Sequence, residues 1–339
     1  MPSLSVVMSV YNAREFLEAA IVSILDQTYA DFEFVIINDG STDGSEQIIT
    51  RFAAKDSRIR LISRENRGLA QSLNEGVAAS RGEYIARMDA DDISLPTRFA
   101  AQMSAITELG VDVLGGAIRH LGGERDGQVE KYPLTDADIK FRMLIKSPLA
   151  HPAVMARAEL LRRHPYSPHA LQGQDYDLWT RLAVAGARFA NLAEVCLVYR
   201  HQQGQATKRS GARQFEVACE AAAVYGERMY GLPREMVRNI RMGMRSERIC
   251  PVDAVAWSLE LARVARDNGV SPEWLRSALF VLARRSDSSS RLLRARGQLA
   301  AIEPRVVDGS LTLLYLSKLL PFSNAPWLIG ALKRLRHRR

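Results

Sequence analysis

The sequence predicts an α/β protein: a mostly parallel sheet sandwiched by helices, followed by an all-helical C-terminal extension. Three observations carry that expectation. Over roughly the first 90 residues, short β-rich apolar runs alternate with segments whose apolar residues recur at helical spacing. The strand runs are continuously apolar, as expected of parallel strands covered on both faces. From about residue 210 onward the pattern is helical, with Pro233, Pro251, Pro272 and Pro326 near helix starts.

Taken in order, Leu4 to Val10 is a strand, Tyr11 and Asn12 turn the chain, and Phe16 to Leu25 has helical spacing. Phe32 to Ile37 is a second strand ending in Asn38, Asp39 and Gly40. The Ser, Asp and Gly residues that follow suit a turn and an N-cap ahead of a helix over Glu46 to Ala54. Ile59 to Ile62 leads into the turn Glu65-Asn66-Arg67-Gly68 and a helix ending at Ala79. Tyr84 to Met88 is a fourth strand, closed by Asp89, Ala90, Asp91 and Asp92. Residues 110 to 150 read as β-structure and loops, with Gly115-Gly116 and Gly122-Gly123 as breakers and a short helix over Asp136 to Ile145. His151 to Met155 reads as a strand entry, and Gln174 to Trp179 opens a helix that reaches about Ala185.

Composition bounds the rest. A chain of 339 residues, 47% apolar and 25% charged, has room for one large or two modest cores. We place an α/β domain at residues 1–208 and a helical region at 209–339. Cys196, Cys219 and Cys250 lie far apart without a C-x-x-C pair, which argues against a disulfide framework or zinc knuckle and for a reducing compartment. Met1 to Val10 lacks the basic start of a secretory signal, and no window holds the roughly 18 unbroken apolar residues of a membrane span. The expected location is cytoplasmic.

Charge is unevenly placed. Residues 1–200 carry 22 Lys and Arg against 26 Asp and Glu, a net of −4, whereas residues 201–339 carry 24 against 12, a net of +12. The tail combines apolar runs over residues 311–322 and 325–332, Trp327, and a terminal basic block from Lys333 to Arg339. Two readings stand: an interfacial segment on an anionic membrane surface, peripheral on its inner face, or a helical subdomain packed on the core with a solvated basic end. Nucleic acid is disfavoured, because aromatics interleaved with Arg on one face are sparse.

Ligands of parallel α/β sheets bind beyond the strands' carboxyl ends. Three successive ends here carry Tyr11-Asn12, Asn38-Asp39-Gly40 and Asp89-Ala90-Asp91, which would converge on one crevice. Neither G-x-G-x-x-G nor G-x-x-x-x-G-K-[ST] occurs, so a dinucleotide fingerprint and a P-loop are disfavoured. Clustered carboxylates repel unless hydrogen bonds or a divalent metal neutralise them. Hard cations such as Mg²⁺ or Mn²⁺ take oxygen ligands and share them with phosphates. A solvated acidic turn is the plain alternative, as helix-dipole pairing is for Asp175 and Asp177.

The ordered stretches SVVMSVYNAREFLEAAIVSILDQTY, FEFVIINDGSTDGS, ENRGLAQSLNEGVAASRGEYIARMDADD, HPAVM and QDYDLWTRL resemble glycosyltransferase family 2, with its GT-A fold, over roughly residues 3–205. The resemblance implies an inverting, metal-dependent transfer of one sugar from a nucleoside-diphosphate-sugar, UDP-linked, to a glycan or polyprenyl-linked acceptor in bacterial surface polysaccharide assembly. It assigns Tyr11, Asn12, Asp39 and Asp89 to the donor nucleotide, Asp91 to Mg²⁺ or Mn²⁺, and Asp175 to the general base, and Ser9 and Arg67 are further donor-side candidates from their places at the β1 end and in the Asn66-Arg67-Gly68 turn. His151, Trp179 and Asp177 fall on the acceptor side, Asp177 also as the competing base.

An Asp39 carboxylate suits a base N–H, and a Tyr11 ring suits a base face. Arg67 also reads as an ordinary surface arginine, and Trp179 as a buried helix aromatic. Many relatives read Y-R-x-H where this chain has Tyr199-Arg200-His201-Gln202, so either His201 or Gln202 is the remaining candidate for the metal. A Q-x-x-R-W segment is absent, which argues for single-sugar addition. Two other classes share some features: a nucleotidyltransferase making nucleotide sugars, which lacks its Gly-rich basic first loop here, and a non-catalytic glycan-binding protein.

Overall fold

The computed structural model describes residues 2–168, 173–201, 211–243, 251–285, 298–299 and 301–302. Gln202 and the apolar and basic tail segments lie outside them. The chain forms two compact units, residues 1–139 with 147–221, and residues 140–146 with 222–339.

The first unit opens with β1 (Leu4–Val10), α1 (Arg14–Leu25), β2 (Phe32–Asp39), α2 (Ser45–Ala53), β3 (Ile59–Arg64), α3 (Leu69–Ala79) and β4 (Tyr84–Asp89). It continues through β5 (Ile93–Ser94), α4 (Arg98–Leu109), β6 (Val113–Leu121), β7 (Val129–Glu130), the first half of α5 (Asp136–Met143), β8 (Met155–Arg157), α6 (Ala158–Arg163), α7 (Gln174–Val184) and β9 (Phe189–Arg200). The sheet runs β3-β2-β1-β4-β8-β6-β9-β5, with β7 paired to β6. Strands β1 to β4 pair in parallel, as does β6 with β9, whereas β8 lies antiparallel between β4 and β6. The expected strand entry at residue 151 is a 3-10 turn over His151–Ala153 that delivers the chain into β8.

Strand alternation sorts the side chains. Leu4, Val6, Met8 and Val10 of β1 face the same way as Phe32, Phe34 and Ile36 of β2, and pack with Leu17, Ile21 and Ile24 of α1 and with Phe99 and Ile106 of α4. The opposite face carries Val7, Val35, Ile85 and Arg87 and receives α3. Contact there is close: a Cβ added to Gly76 in α3 would lie 2.4 Å from Val7 Cγ1. Gly76→Ala is therefore expected to destabilise the fold by about 1–3 kcal/mol through overpacking. Urea unfolding of the full chain checks it.

Gly115 and Gly116, expected to break structure, instead lie inside β6. A Cβ at Gly115 would come 2.1 Å from Asn191 Oδ1, and one at Gly116 2.3 Å from Cys196 Sγ. Both glycines permit the approach of β9, whose register against β6 shifts on either side of Ala117.

The second unit comprises residues 140–146 and 222–339, helical over most of its described residues. Its helices are the end of α8 (Gly211–Tyr230), then α9 (Arg234–Gly243), α10 (Pro251–Asp267) and α11 (Pro272–Arg285). Tyr225 donates its hydroxyl to the Lys140 carbonyl at 2.8 Å, and the Arg142 guanidinium lies 4.6 Å from the Trp274 ring centre. Among the described residues no helix is long and apolar enough to cross a membrane.

Candidate active site

In the order β3-β2-β1-β4 the chain runs outward from β1 in one direction and then returns to its other side. The topology therefore reverses between β1 and β4. A crevice opens at such a switch point because the loops leaving the two strands diverge. Register fixes what meets there. Ser9, half-buried, stands beside Ile37 on one side and Asp89 on the other, and Asp39 stands beside Arg64. Ser9, Asp39 and Asp89 all point to one face by strand alternation.

The loops after β1 and β2 lock together. Asn12, in the left-handed region at φ 49°, donates its amide to Ser41 Oγ at 3.0 Å and accepts from the Thr42 amide at 2.8 Å. Asp43 and Ser45 accept the Arg14 and Ala13 amides, covering the start of α1, whose own cap residue supplies no side-chain bond. Tyr11 is left 55% exposed at the mouth.

Asp39 is buried. Its carboxylate accepts the Arg67 amide at 2.8 Å, the Gly68 amide at 3.0 Å and an ion pair from Arg64, which also binds Glu75 and Ser72. Of about four acceptor positions on a carboxylate, that leaves one for an N–H from outside. Gly40 turns away with φ 73°, where a Cβ would meet the Asn66 amide at 2.7 Å. Arg67 itself points outward, 60% exposed and paired with Glu75 at 3.3 Å.

Beyond β4, Asp89, Asp91 and Asp92 bring one carboxylate oxygen each to within 4.8 Å of one another. Asp92 is buried. Its Oδ1 accepts the Arg200 amide at 2.8 Å, while its Oδ2 is buried with no hydrogen-bond partner. Burial, then Asp89 and Asp91 beside it, hold the Asp92 carboxyl well above the usual carboxylate range. Three hard oxygen donors at this spacing, one with an unused buried lone pair, fit a divalent cation such as Mg²⁺ or Mn²⁺.

The chain holds the cluster rigidly. Arg200 at the end of β9 donates Nε to the Asp91 carbonyl at 2.9 Å, and β5 pairs with β9 just beyond. Gln27 of α1 donates to Ser94 Oγ and the Leu95 carbonyl and accepts the Phe99 amide. Arg98 donates to the Arg87 carbonyl at 2.9 Å from the other face of β4.

Asp175 and Asp177 open α7 on different terms. Asp177 forms an i,i+4 ion pair with Arg181 at 2.9 Å. Asp175, half-buried, accepts the Tyr176 amide, and burial pushes its carboxyl up. His151 shares a hydrogen bond of 2.8 Å with the Tyr166 hydroxyl, and burial, then Arg87, pushes its imidazole well below its ordinary range. It is neutral at pH 7.

The chain matches the family model described as glycosyl transferase family 2 over residues 5–164. It is 31% identical over 219 residues to the O-antigen biosynthesis glycosyltransferase WbnJ of Escherichia coli, covering 63% of this chain and 85% of that one. With the amylovoran biosynthesis glycosyltransferase AmsE of Erwinia amylovora it shares 32% over 211 residues, covering 61% and 79%. The chain belongs to glycosyltransferase family 2. The fold agrees: the crystal structure of S. aureus TarS 1-349 in complex with UDP-GlcNAc superposes with a TM-score of 0.59 at 16% identity, covering 93% of this chain and 91% of that one.

In this family 2 glycosyltransferase, Ser9, Tyr11, Asp39, Asp89 and Asp91 stand at adjacent carboxyl ends of one sheet, as the sequence led us to expect. His201 is placed otherwise, Trp179 takes its reading as a buried helix aromatic, and Asn12 keeps its place at the β1 end with its side chain partly engaged. The third metal ligand sought at His201 is not in the acidic group: its Nε2 shares a 2.7 Å bond with His120 Nδ1, the two rings stack at 4.9 Å, and Glu130 lies 3.3 Å from His120. Trp179 is 1% exposed and packs edge-on against His151, which makes it a wall of the core with no face open to a sugar. Asn12 already spends its carbonyl on Thr42.

Sequence reasoning missed Arg64, Tyr166 and Arg200, whose partners Asp39, His151 and Asp92 are remote in sequence, and Arg87, whose partner Asp89 is near. For Arg87 a signal existed, since it is a lone charge inside the otherwise apolar run Tyr84 to Met88.

Proposed function

We propose that this glycosyltransferase transfers one sugar, with inversion, from a nucleoside-diphosphate-sugar, UDP-linked, to a glycan or polyprenyl-linked acceptor in surface polysaccharide assembly. The observation that carries the reading is the acidic trio at the β1/β4 switch point. It stands beside the exposed Tyr11 ring and within the electrostatic reach of a fourth carboxylate, Asp175. The names of relatives acting in O-antigen and amylovoran biosynthesis, and the UDP-GlcNAc held by TarS, support the donor and acceptor classes.

The chain's residues divide the work. Tyr11 offers a ring face to the base, and Asp39 orders the Arg67–Gly68 turn along it and presents its remaining acceptor position. Asp89, Asp91 and Asp92 would hold Mg²⁺ or Mn²⁺, which when bound supplies positive charge opposite the donor's two phosphates. Asp175 takes the acceptor hydroxyl proton as that oxygen bonds to the anomeric carbon and the bond to the diphosphate breaks. A raised pKa suits that task, because a base closer to the working pH drives proton transfer better. Asp177 is tied to Arg181 and serves the start of the helix instead.

The positive balance of residues 201–339 fits an enzyme working at an anionic lipid surface on the cytoplasmic side. A donor screen decides the matter: UDP-, GDP- and TDP-sugars with Mn²⁺ and a lipid-linked acceptor extract, read as nucleoside diphosphate release. Acceptor-dependent release of UDP is expected. Release from GDP- or TDP-sugars alone would overturn the donor assignment, and absence of release from any donor would overturn the enzymatic reading.

A further inference from the structure

We propose that Arg87 is a positioning residue that serves two carboxylates at once, Asp89 of the acidic cluster and Asp175 at the start of α7. The proposal rests on the reading of Asp175 as the base. Arg87 sits in the middle of β4 beside Val7, on the face covered by α3, and its side chain is 93% buried. One end of the guanidinium is ion-paired with Asp89, while Nε and Nη1 are buried without a hydrogen-bond partner. A buried cation with two unanswered N–H groups is expensive, and an apolar residue would pack the same strand at lower cost. Its place therefore follows from what it faces.

Arg87, Tyr166 and Trp179 line one small cavity between the sheet and its covering helices, and Trp179 Nε1 is likewise buried without a partner. Trp179 follows Asp175 by four residues, so the two lie on one face of α7, a turn apart. The guanidinium thus joins the end of β4, through Asp89, to a cavity walled by α7 one helical turn from Asp175. The groups that act electrostatically on Asp175 are Asp89 from β4, the Tyr166 phenol from the preceding loop, the α7 amides and Arg87. His151, bonded to Tyr166, is neutral, and Arg181 is committed to Asp177. Arg87 is the cation in that set. Its charge opposes the burial and the Asp89 repulsion that push Asp175 up. One buried arginine therefore orients the donor-side carboxylate and keeps the acceptor-side carboxylate ionised and ready to accept a proton.

The test is a ¹³C-carboxyl NMR titration of Asp175 in the metal-free full chain. Arg87→Met is expected to raise the Asp175 midpoint by about one to two pH units, and Arg87→Lys, which keeps the charge, to leave it near wild type. The acid limb of donor turnover should move with it. A folded Arg87→Met protein with an unchanged midpoint overturns the proposal. Should that variant not fold, ¹⁵N NMR of Arg87 Nε in the unaltered side chain decides. Its shift should titrate with Asp175 in wild type and lose that step in Asp175→Asn, and a resonance indifferent to the substitution overturns the proposal. Retained turnover in Asp175→Asn would instead remove the base reading, and the NMR midpoints would still settle the role of Arg87.

Discussion

Replacing Asp175 with Asn is expected to lower turnover by about a hundred- to ten-thousand-fold, the usual contribution of a positioned general base, while nucleoside diphosphate binding persists. The amide keeps the shape of the side chain and cannot take the acceptor proton. Burial holds the Asp175 carboxyl above its ordinary range, so wild-type kcat/KM should fall as pH drops through a midpoint above the usual value of about 3.9. Stability follows the opposite course. A carboxyl with a raised folded pKa binds its proton more tightly in the native state, so its contribution is most favourable below the unfolded pKa. That contribution is lost as pH rises through the folded pKa. Above it the ionised group is a standing penalty. Asp175→Asn removes that penalty and should raise the thermal transition at pH 8 while turnover collapses, a trade of stability for function common at active sites. Turnover near wild type, with nucleotide binding intact, would rule Asp175 out as the base.

The same two carboxylates at the start of α7 show where sequence reasoning reaches and where it stops. Helical spacing and the acidic first turn placed both residues at a helix start, and α7 begins at Gln174. Which of them is committed to an ion pair depended on Arg181 lying at i+4 and on what lies above Asp175, and only the latter requires tertiary structure. The strand ends were legible for a similar reason. Continuous apolar runs define β1 to β4, the helical crossovers between them keep them parallel, and the rule that ligands meet the carboxyl ends then brings Tyr11, Asp39 and Asp89 to one edge. Side-chain availability was not legible. Asn12 and Asp39 have the donors and acceptors a nucleotide needs, yet Asn12 spends its carbonyl and Asp39 most of its carboxylate on neighbouring loops, through partners about 25 to 30 residues away. The C-terminal half of the sheet failed on local grounds. Glycine in a strand reads as a break unless its partner's side chain fills the space, and Asn191 and Cys196 on β9 do so.

Asp91→Ala should separate the metal-dependent part of donor binding from the rest. A ligand held by the native state alone stabilises it by about 2.7 kcal/mol at a hundred times its Kd, which for a unit of this size moves a thermal transition by about 5–10 °C. In wild type, UDP should raise the transition of the catalytic unit and Mn²⁺ should raise it further. Asp91→Ala should keep the UDP increment, which draws on the Tyr11 and Asp39 edge, and lose the Mn²⁺ increment. Two oxygen donors remain in the variant, and Asp92 is already bonded to the Arg200 amide. Burial holds the Asp92 carboxyl high and repulsion from Asp89 and Asp91 adds to it, so removing one negative charge should move its titration down while burial keeps it raised. Turnover with Mn²⁺ should fall by about a hundred- to a thousand-fold, the scale on which loss of one charge-stabilising group acts. An Asp91→Ala protein that keeps the full Mn²⁺ increment would move the cation away from the trio. One that loses the UDP increment as well would mean that base and diphosphate are gripped as a unit, with the β1 and β4 loops ordering each other across the switch point.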